Sequence, residues 1–191
     1  MCKNFSVPNL LSMLRILLTP FFVFFLFQGG VFIWVAISLF TIAAITDFFD
    51  GYIARSYNLS SHLGSFLDPI ADKITTCSAF ISFSILGLVE WWVVLIIVTR
   101  DIWITGLRLV TVKHGSHLKT SMLAKCKTAA QLIAIAMLFI TYLFIQRIPT
   151  STITKISSIT THLVVYIVAI TTLYSGLDYI FKSFNQKQKG L

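Results

Sequence analysis

Residues 10–54 read LLSMLRILLTPFFVFFLFQGGVFIWVAISLFTIAAITDFFDGYIA, two long apolar runs, 10–28 and 31–54, that meet at Gln28-Gly29-Gly30. The hydrocarbon core of a bilayer is about 30 Å thick and is crossed by about 20 apolar residues in a helix. Backbone polar groups in lipid must be satisfied within the segment, so both runs are expected to be helical. Working outward, apolar stretches at 65–88, 91–112, 127–146 and 158–181 follow, separated by short polar or glycine-containing breaks. Of the 191 residues, 57% are hydrophobic and 12% charged, and mean hydropathy is +0.86. A soluble domain carries about a quarter charged residues, so an ordinary water-soluble globule is excluded. The expected fold class is therefore all-α, an integral membrane protein with six transmembrane helices. No internal repeat or long linker divides the chain, and residues 1–191 are read as a single membrane domain.

Charge sets the expected orientation. Fifteen Lys and Arg outnumber seven Asp and Glu, for a net charge of +8. The breaks at Gln28-Gly29-Gly30 and from Gly87 to Trp92 are almost free of positive charge, whereas 55–64, 113–127 and the tail with Lys182, Lys187 and Lys189 are basic. Basic loops stay in the cytoplasm, so both termini are expected there, with the excess charge facing anionic headgroups rather than nucleic acid. The residues ahead of the first apolar run do not show the regions expected of a cleavable signal, so that run is expected to be retained. Pro8 to Leu18, with Arg15 among leucines, reads equally well as a helix in the membrane interface or as the first turns of span one. Cys2, Cys77 and Cys126 have no metal-site or disulfide spacing. His62, His114 and His117 read as loop histidines.

Four of the seven acidic residues, Asp47, Asp50, Asp68 and Asp72, fall at the cytoplasmic ends of the second and third spans. A carboxylate at membrane depth costs roughly 2.5–3.5 kcal/mol, so four together call for a cationic partner. At 3.6 residues per turn, Asp47, Asp50, Gly51 and Ala54 share one face of their helix, and Gly64, Asp68, Ala71 and Asp72 share one face of the next. Hard oxygen ligands suit Mg²⁺, Mn²⁺ or Ca²⁺ rather than zinc. The bland alternative is a salt-bridge network with Arg55, Lys73 and Arg100. Two divalent ions held between such faces would clamp a phosphate, and a carboxylate left partly free could take a proton from an attacking hydroxyl, which points to phosphoryl-type transfer at the membrane surface. A cation transporter is the reading from another class, but its carboxylates would be spread through the bilayer rather than gathered at one face, where only Glu90 lies apart near the other.

The pattern Asp47-x2-Asp50-Gly51-x2-Ala54-Arg55-x8-Gly64-x3-Asp68-x3-Asp72 resembles the signature of the CDP-alcohol phosphotransferase family, with every specified position filled. Further runs are similar to the branch of that family that makes phosphatidylglycerophosphate in bacteria: Pro8 to Arg15, Leu63 to Lys73, Arg100-Asp101 with Gly106-Leu107-Arg108, and Lys125 to Gln131. Ser12 stands where that branch commonly has Thr, and Asp101 where it often has Glu. Arg-Asp at this place also occurs in the family's cardiolipin synthases, which keeps phosphatidylglycerol open as an alternative acceptor.

The resemblance implies a six-helix, often dimeric enzyme of the bacterial cytoplasmic (inner) membrane, active on its cytoplasmic side, that moves a phosphatidyl group from CDP-diacylglycerol to glycerol 3-phosphate and releases CMP. It implies two divalent cations, Mg²⁺ or Mn²⁺, on Asp47, Asp50, Asp68 and Asp72, with Asp72 also the general base. Asp50, Gly51, Ala54, Arg55 and Gly64 would receive the CDP donor, Gly51 and Ala54 by leaving it room. A phosphate-bearing acceptor needs cations nearby, for which Arg100, Arg108, Lys125 and Lys127 are the candidates. Arg100 could instead pair with Asp101 or Asp68, and the lysines could be plain cytoplasmic anchors.

Overall fold

The computed structural model describes the backbone of residues 7–56, 64–113, 122–149 and 151–189, and the side chains of 10–47, 67–107, 127–149 and 151–176. The described residues form six helices: α1 Val7–Gln28, α2 Phe32–Ser56, α3 Gly64–Ile85, α4 Trp91–Lys113, α5 Met122–Arg147 and α6 Thr152–Lys189. The all-α expectation holds, and each helix covers or nearly covers one of the six apolar stretches. Three are long and apolar enough to cross a membrane, over Leu10–Gln28, Lys127–Arg147 and Thr152–Gly176. In α2 the apolar stretch Phe32–Asp47 is shorter. Of the two readings of Pro8 to Leu18 the structure favours the second: the stretch is the first half of α1, which runs unbroken through Pro20. Pro8 sits in the first helical turn, where a missing N–H costs nothing.

Local chemistry sets the helix ends. Gly29 and Gly30 have φ of 64° and 54°, a left-handed conformation that stops α1 and that side chains with a Cβ resist. The Phe32 amide then donates to the Gly29 carbonyl at 3.0 Å, starting α2 at once. At the start of α6, Ser151 Oγ accepts from the Thr154 amide at 3.1 Å, an N-cap. Helix α6 has 38 residues, about 57 Å at 1.5 Å per residue, which outruns the hydrocarbon core.

The chain packs as two compact units, Met1–Leu86 and Gly87–Leu191. In the first, α1 lies along both α2 and α3, while α2 and α3 touch each other far less. Its apolar core joins Phe22, Leu26, Ile33, Phe40, Phe80 and Phe83, with Ala36, Ala43 and Ala79 at close approaches; the Phe22 and Phe40 rings lie 5.5 Å apart. In the second unit α6 packs on α5 and α4, around Val93, Ile97, Ile135, Leu138, Val165 and Val168. Outward faces carry Leu17, Phe21, Phe24, Leu95, Ile159, Leu163, Ile167 and Ile170. Such rows of exposed large apolar side chains fit a lipid solvent, and the protein is a multi-pass membrane protein.

The α3–α4 connection holds a separate polar cluster. The Tyr166 hydroxyl donates to Glu90 Oε1 at 2.8 Å, His162 Nδ1 lies 3.6 Å from the same oxygen, and Trp92 stacks on Tyr166 at 5.8 Å. Burial works to raise the Glu90 carboxyl, but the bonds from Tyr166 and from its own amide, with the charge of His162, outweigh it and hold the group below its ordinary 4.5. A carboxyl lowered on folding adds stability above its unfolded value and loses it as pH falls through the folded one. Tyr166→Phe should therefore move the onset of acid unfolding to slightly higher pH, as thermal scans over acidic pH would measure. The shift stays small because Glu90 is 39% exposed and solvent weakens the bond.

Candidate active site

Helix α1 carries a buried polar stripe in an otherwise apolar surface. Ser12, Arg15 and Thr19 are spaced i, i+3 and i+7, so they line one face, and all three are buried. Each reaches another helix of the same unit. Ser12 Oγ donates to Asp68 Oδ1 on α3, and Arg15 Nη1 donates to Asp47 Oδ1 on α2 at 2.5 Å. The Thr19 and Thr75 hydroxyls lie 3.0 Å apart, and Thr19 also donates to the Arg15 carbonyl at 2.9 Å.

Helix α3 presents Asp68 and Asp72 one turn apart. Between them Ala71 is buried with no exposure, which seats the acidic turn tightly in the unit. Asp72 Oδ2 lies 2.9 Å from Lys73 Nζ, and Asp47 feels the charges of Arg15, Asp72 and Lys73 together. The acidic ends of α2 and α3 therefore lie within electrostatic reach of one another, as the spacing implies. The salt-bridge alternative is realised in part, through Lys73. Arg15, which it did not include, supplies the other cation.

Whether these residues suit divalent ions is a question of donor chemistry. Among the described residues no group of three or more His, Cys, Asp or Glu side chains is arranged to hold a metal ion. The three described carboxylates are each bonded through one oxygen, however. Asp47 Oδ2, Asp68 Oδ2 and Asp72 Oδ1 have no hydrogen-bond partner among the described residues. Carboxylate oxygens, on two side chains held from behind by α1, are the donor type that suits Mg²⁺ or Mn²⁺. Asp50, Gly51, Ala54, Arg55 and Gly64 lie in α2 or at the start of α3, but their side chains lie outside the described residues, as do those of Arg108 and Lys125, and His62, His114 and His117.

In the second unit, Arg100 and Lys127 converge on Asp101, which is 1% exposed. Lys127 Nζ and Arg100 Nη1 both bond Asp101 Oδ1, the latter at 3.2 Å, while Gln131 Nε2 donates to Oδ2 at 2.9 Å. Arg100 Nη2 reaches Ser175 Oγ at 2.6 Å. Gly176 makes room for this: a Cβ there would lie 3.2 Å from Arg100 Cγ. Arg100 Nε and Gln131 Oε1 are buried without a hydrogen-bond partner among the described residues. Among the described residues, one carboxylate thus meets two cations.

Ser12, Arg15, Gln131, Ser175 and Gly176 were not singled out as site residues by the sequence. A cation inside an apolar run, at i+3 from a serine and i−4 from a threonine, was the available signal for the first two. Gln131 closes the Lys125 to Gln131 run that carries the resemblance, and Ser175 and Gly176 carry no signal.

A sequence model of the CDP-alcohol phosphatidyltransferase family matches residues 5–174. A CDP-diacylglycerol–glycerol-3-phosphate 3-phosphatidyltransferase of Cereibacter sphaeroides is 41% identical over 142 residues, covering 72% of this chain and 64% of that protein. A probable phosphatidylglycerophosphate synthase of Mycobacterium tuberculosis is 35% identical, covering 93% of this chain and 81% of its own length. A CDP-diacylglycerol–glycerol-3-phosphate 3-phosphatidyltransferase of Bacillus subtilis is 32% identical over 94% of this chain and 96% of its own.

Proposed function

Because the chain belongs to the CDP-alcohol phosphatidyltransferase family, we propose that it transfers the phosphatidyl group of CDP-diacylglycerol to glycerol 3-phosphate, giving phosphatidylglycerophosphate and CMP. The observation that carries this reading is the full acidic pattern from Asp47 to Asp72, in a chain whose similarity to relatives named for that reaction extends nearly end to end.

The acceptor hydroxyl forms a new bond to the phosphorus that bears diacylglycerol, the diphosphate P–O bond breaks, and CMP leaves with the electron pair. Asp72 takes the hydroxyl proton. Lys73 lies against its Oδ2. Asp47, Asp50, Asp68 and Asp72 would hold two divalent ions, Mg²⁺ or Mn²⁺, which supply polarisation of the phosphorus and charge stabilisation on the leaving oxygen. Asp50, Gly51, Ala54, Arg55 and Gly64 receive the cytidine diphosphate, the two small side chains by leaving room and Arg55 by its charge. Arg100, Arg108, Lys125 and Lys127 hold the acceptor phosphate. Among the described residues Arg100 and Lys127 share the Asp101 carboxylate and Arg100 Nε has no hydrogen-bond partner, which supports the first and last of these.

In this reading residues 1–191 form one family domain with six spans in the bacterial inner membrane, working as a homodimer with the site and both termini on the cytoplasmic side. The alternating basic loops support the orientation.

The test is CMP release by the purified chain in detergent with glycerol 3-phosphate and phosphatidylglycerol offered together. Product should form only from glycerol 3-phosphate, and EDTA should stop it until Mg²⁺ or Mn²⁺ is restored. Cardiolipin as the product would transfer the reading to the alternative acceptor, and CMP release at full rate in EDTA would end the metal reading.

A further inference from the structure

We propose that Ser12 and Arg15 of α1 are positioning residues, which set the aim of the metal-binding carboxylates from behind. The inference rests on the metal reading proposed above. Asp47 and Asp68 sit on α2 and α3, two helices that touch each other little, whereas α1 lies against both. One face of one helix therefore bonds both acids: Arg15 takes Oδ1 of Asp47, and Ser12 takes Oδ1 of Asp68. In each case the engaged oxygen is the one turned toward α1, and Oδ2 has no hydrogen-bond partner among the described residues.

Burial gives these bonds their directing power. Ser12 and Arg15 are fully buried, at 0% and 1% exposure, so neither can swing out to water and leave its carboxylate to rotate. Asp47, by contrast, is 44% exposed and would sample several rotamers if unheld. Two carboxylates with one oxygen pinned and one presented form a preset half-site for a cation. Arg15 plays a second part: its charge offsets the repulsion among Asp47 and its acidic neighbours before any ion arrives. A hydroxyl at position 12 and a guanidinium at position 15 therefore determine how far apart and in what direction the ligand oxygens point.

Groups that orient metal ligands typically alter affinity about 10–100-fold when removed. The experiment is Mn²⁺ binding to the full-length protein in detergent, without substrate, read by electron paramagnetic resonance. Ser12→Ala should weaken binding about 10–100-fold, and Ser12→Thr, which keeps the hydroxyl, should restore most of it. Arg15→Lys keeps the charge but loses the planar fork, and should weaken binding as well. Thr75→Val removes the Thr19 contact further along the same stripe without touching a carboxylate, and should leave Mn²⁺ affinity unchanged. A general loosening of α1 would lower affinity in Thr75→Val too, and that result would overturn the proposal. So would wild-type affinity in both Ser12→Ala and Arg15→Lys. Absence of Mn²⁺ binding in the wild type would instead remove the metal reading itself, and this inference with it.

Discussion

Asp72→Asn is expected to lower the turnover number by at least about 10²–10⁴-fold, the range a positioned general base contributes. Asparagine matches aspartate in shape and keeps a neutral oxygen, so α3 should fold as before. It loses the site that accepts the proton and the partner of Lys73 Nζ. That bond joins two partly exposed side chains and is worth little to stability. Mn²⁺ affinity should therefore fall far less than turnover, and the melting temperature should barely move. Measuring kcat, Mn²⁺ binding and thermal unfolding on the same preparation separates these effects. Unchanged turnover in Asp72→Asn would remove the base assignment.

Asp101→Ala should have the largest effect on stability, about 3–5 kcal/mol, because it strips a buried carboxylate from two cations at once. Lys127 is 4% exposed and Asp101 1%, so water cannot replace what is lost. Gln131, fully buried, loses the acceptor of its amide in the same step. Replacing both members of a buried pair by apolar residues is often neutral or better. The double variant Asp101→Leu with Lys127→Met should accordingly recover part of the thermal stability, since Arg100 and Gln131 still lack their acceptor. It should not recover affinity for glycerol 3-phosphate, because Lys127 is one of the proposed phosphate cations, and the KM for that substrate should stay raised. A parental melting temperature in Asp101→Ala would show that the cluster contributes nothing to holding α4 and α5 together.

The helices were legible because their cause is local. An apolar run in lipid has helix as its way to satisfy its own backbone, and glycines at positions 29 and 30 end α1 where composition breaks. The acidic turns were legible for a related reason: charge at membrane depth is costly, so four aspartates at two helix ends stand out without any structure. Arg15 shows where such reading stops. Its presence among leucines is visible, and it reads as an interfacial residue or as part of a span. That it turns inward to Asp47 depends on α2 packing against that face of α1, a contact across 32 residues.

The same holds for Asp101. Its neighbour Arg100 is adjacent in the chain, but Lys127 and Gln131 come from α5 and Ser175 from α6. Spacing along one helix predicts which residues share a face, and it carries no information on which partner helix that face will meet.

Membrane class, helix positions, the acidic pattern and family membership were thus determined by the chain alone, since each rests on periodicity, transfer energy or residue spacing. Tertiary structure alone decided which oxygen of Asp47, Asp68 and Asp72 is held, that α1 supplies the groups holding Asp47 and Asp68, and that two prospective phosphate cations share one buried carboxylate. The physical reason is that a hydrogen bond acts over about 3 Å, and only packing brings residues so distant in sequence within that reach.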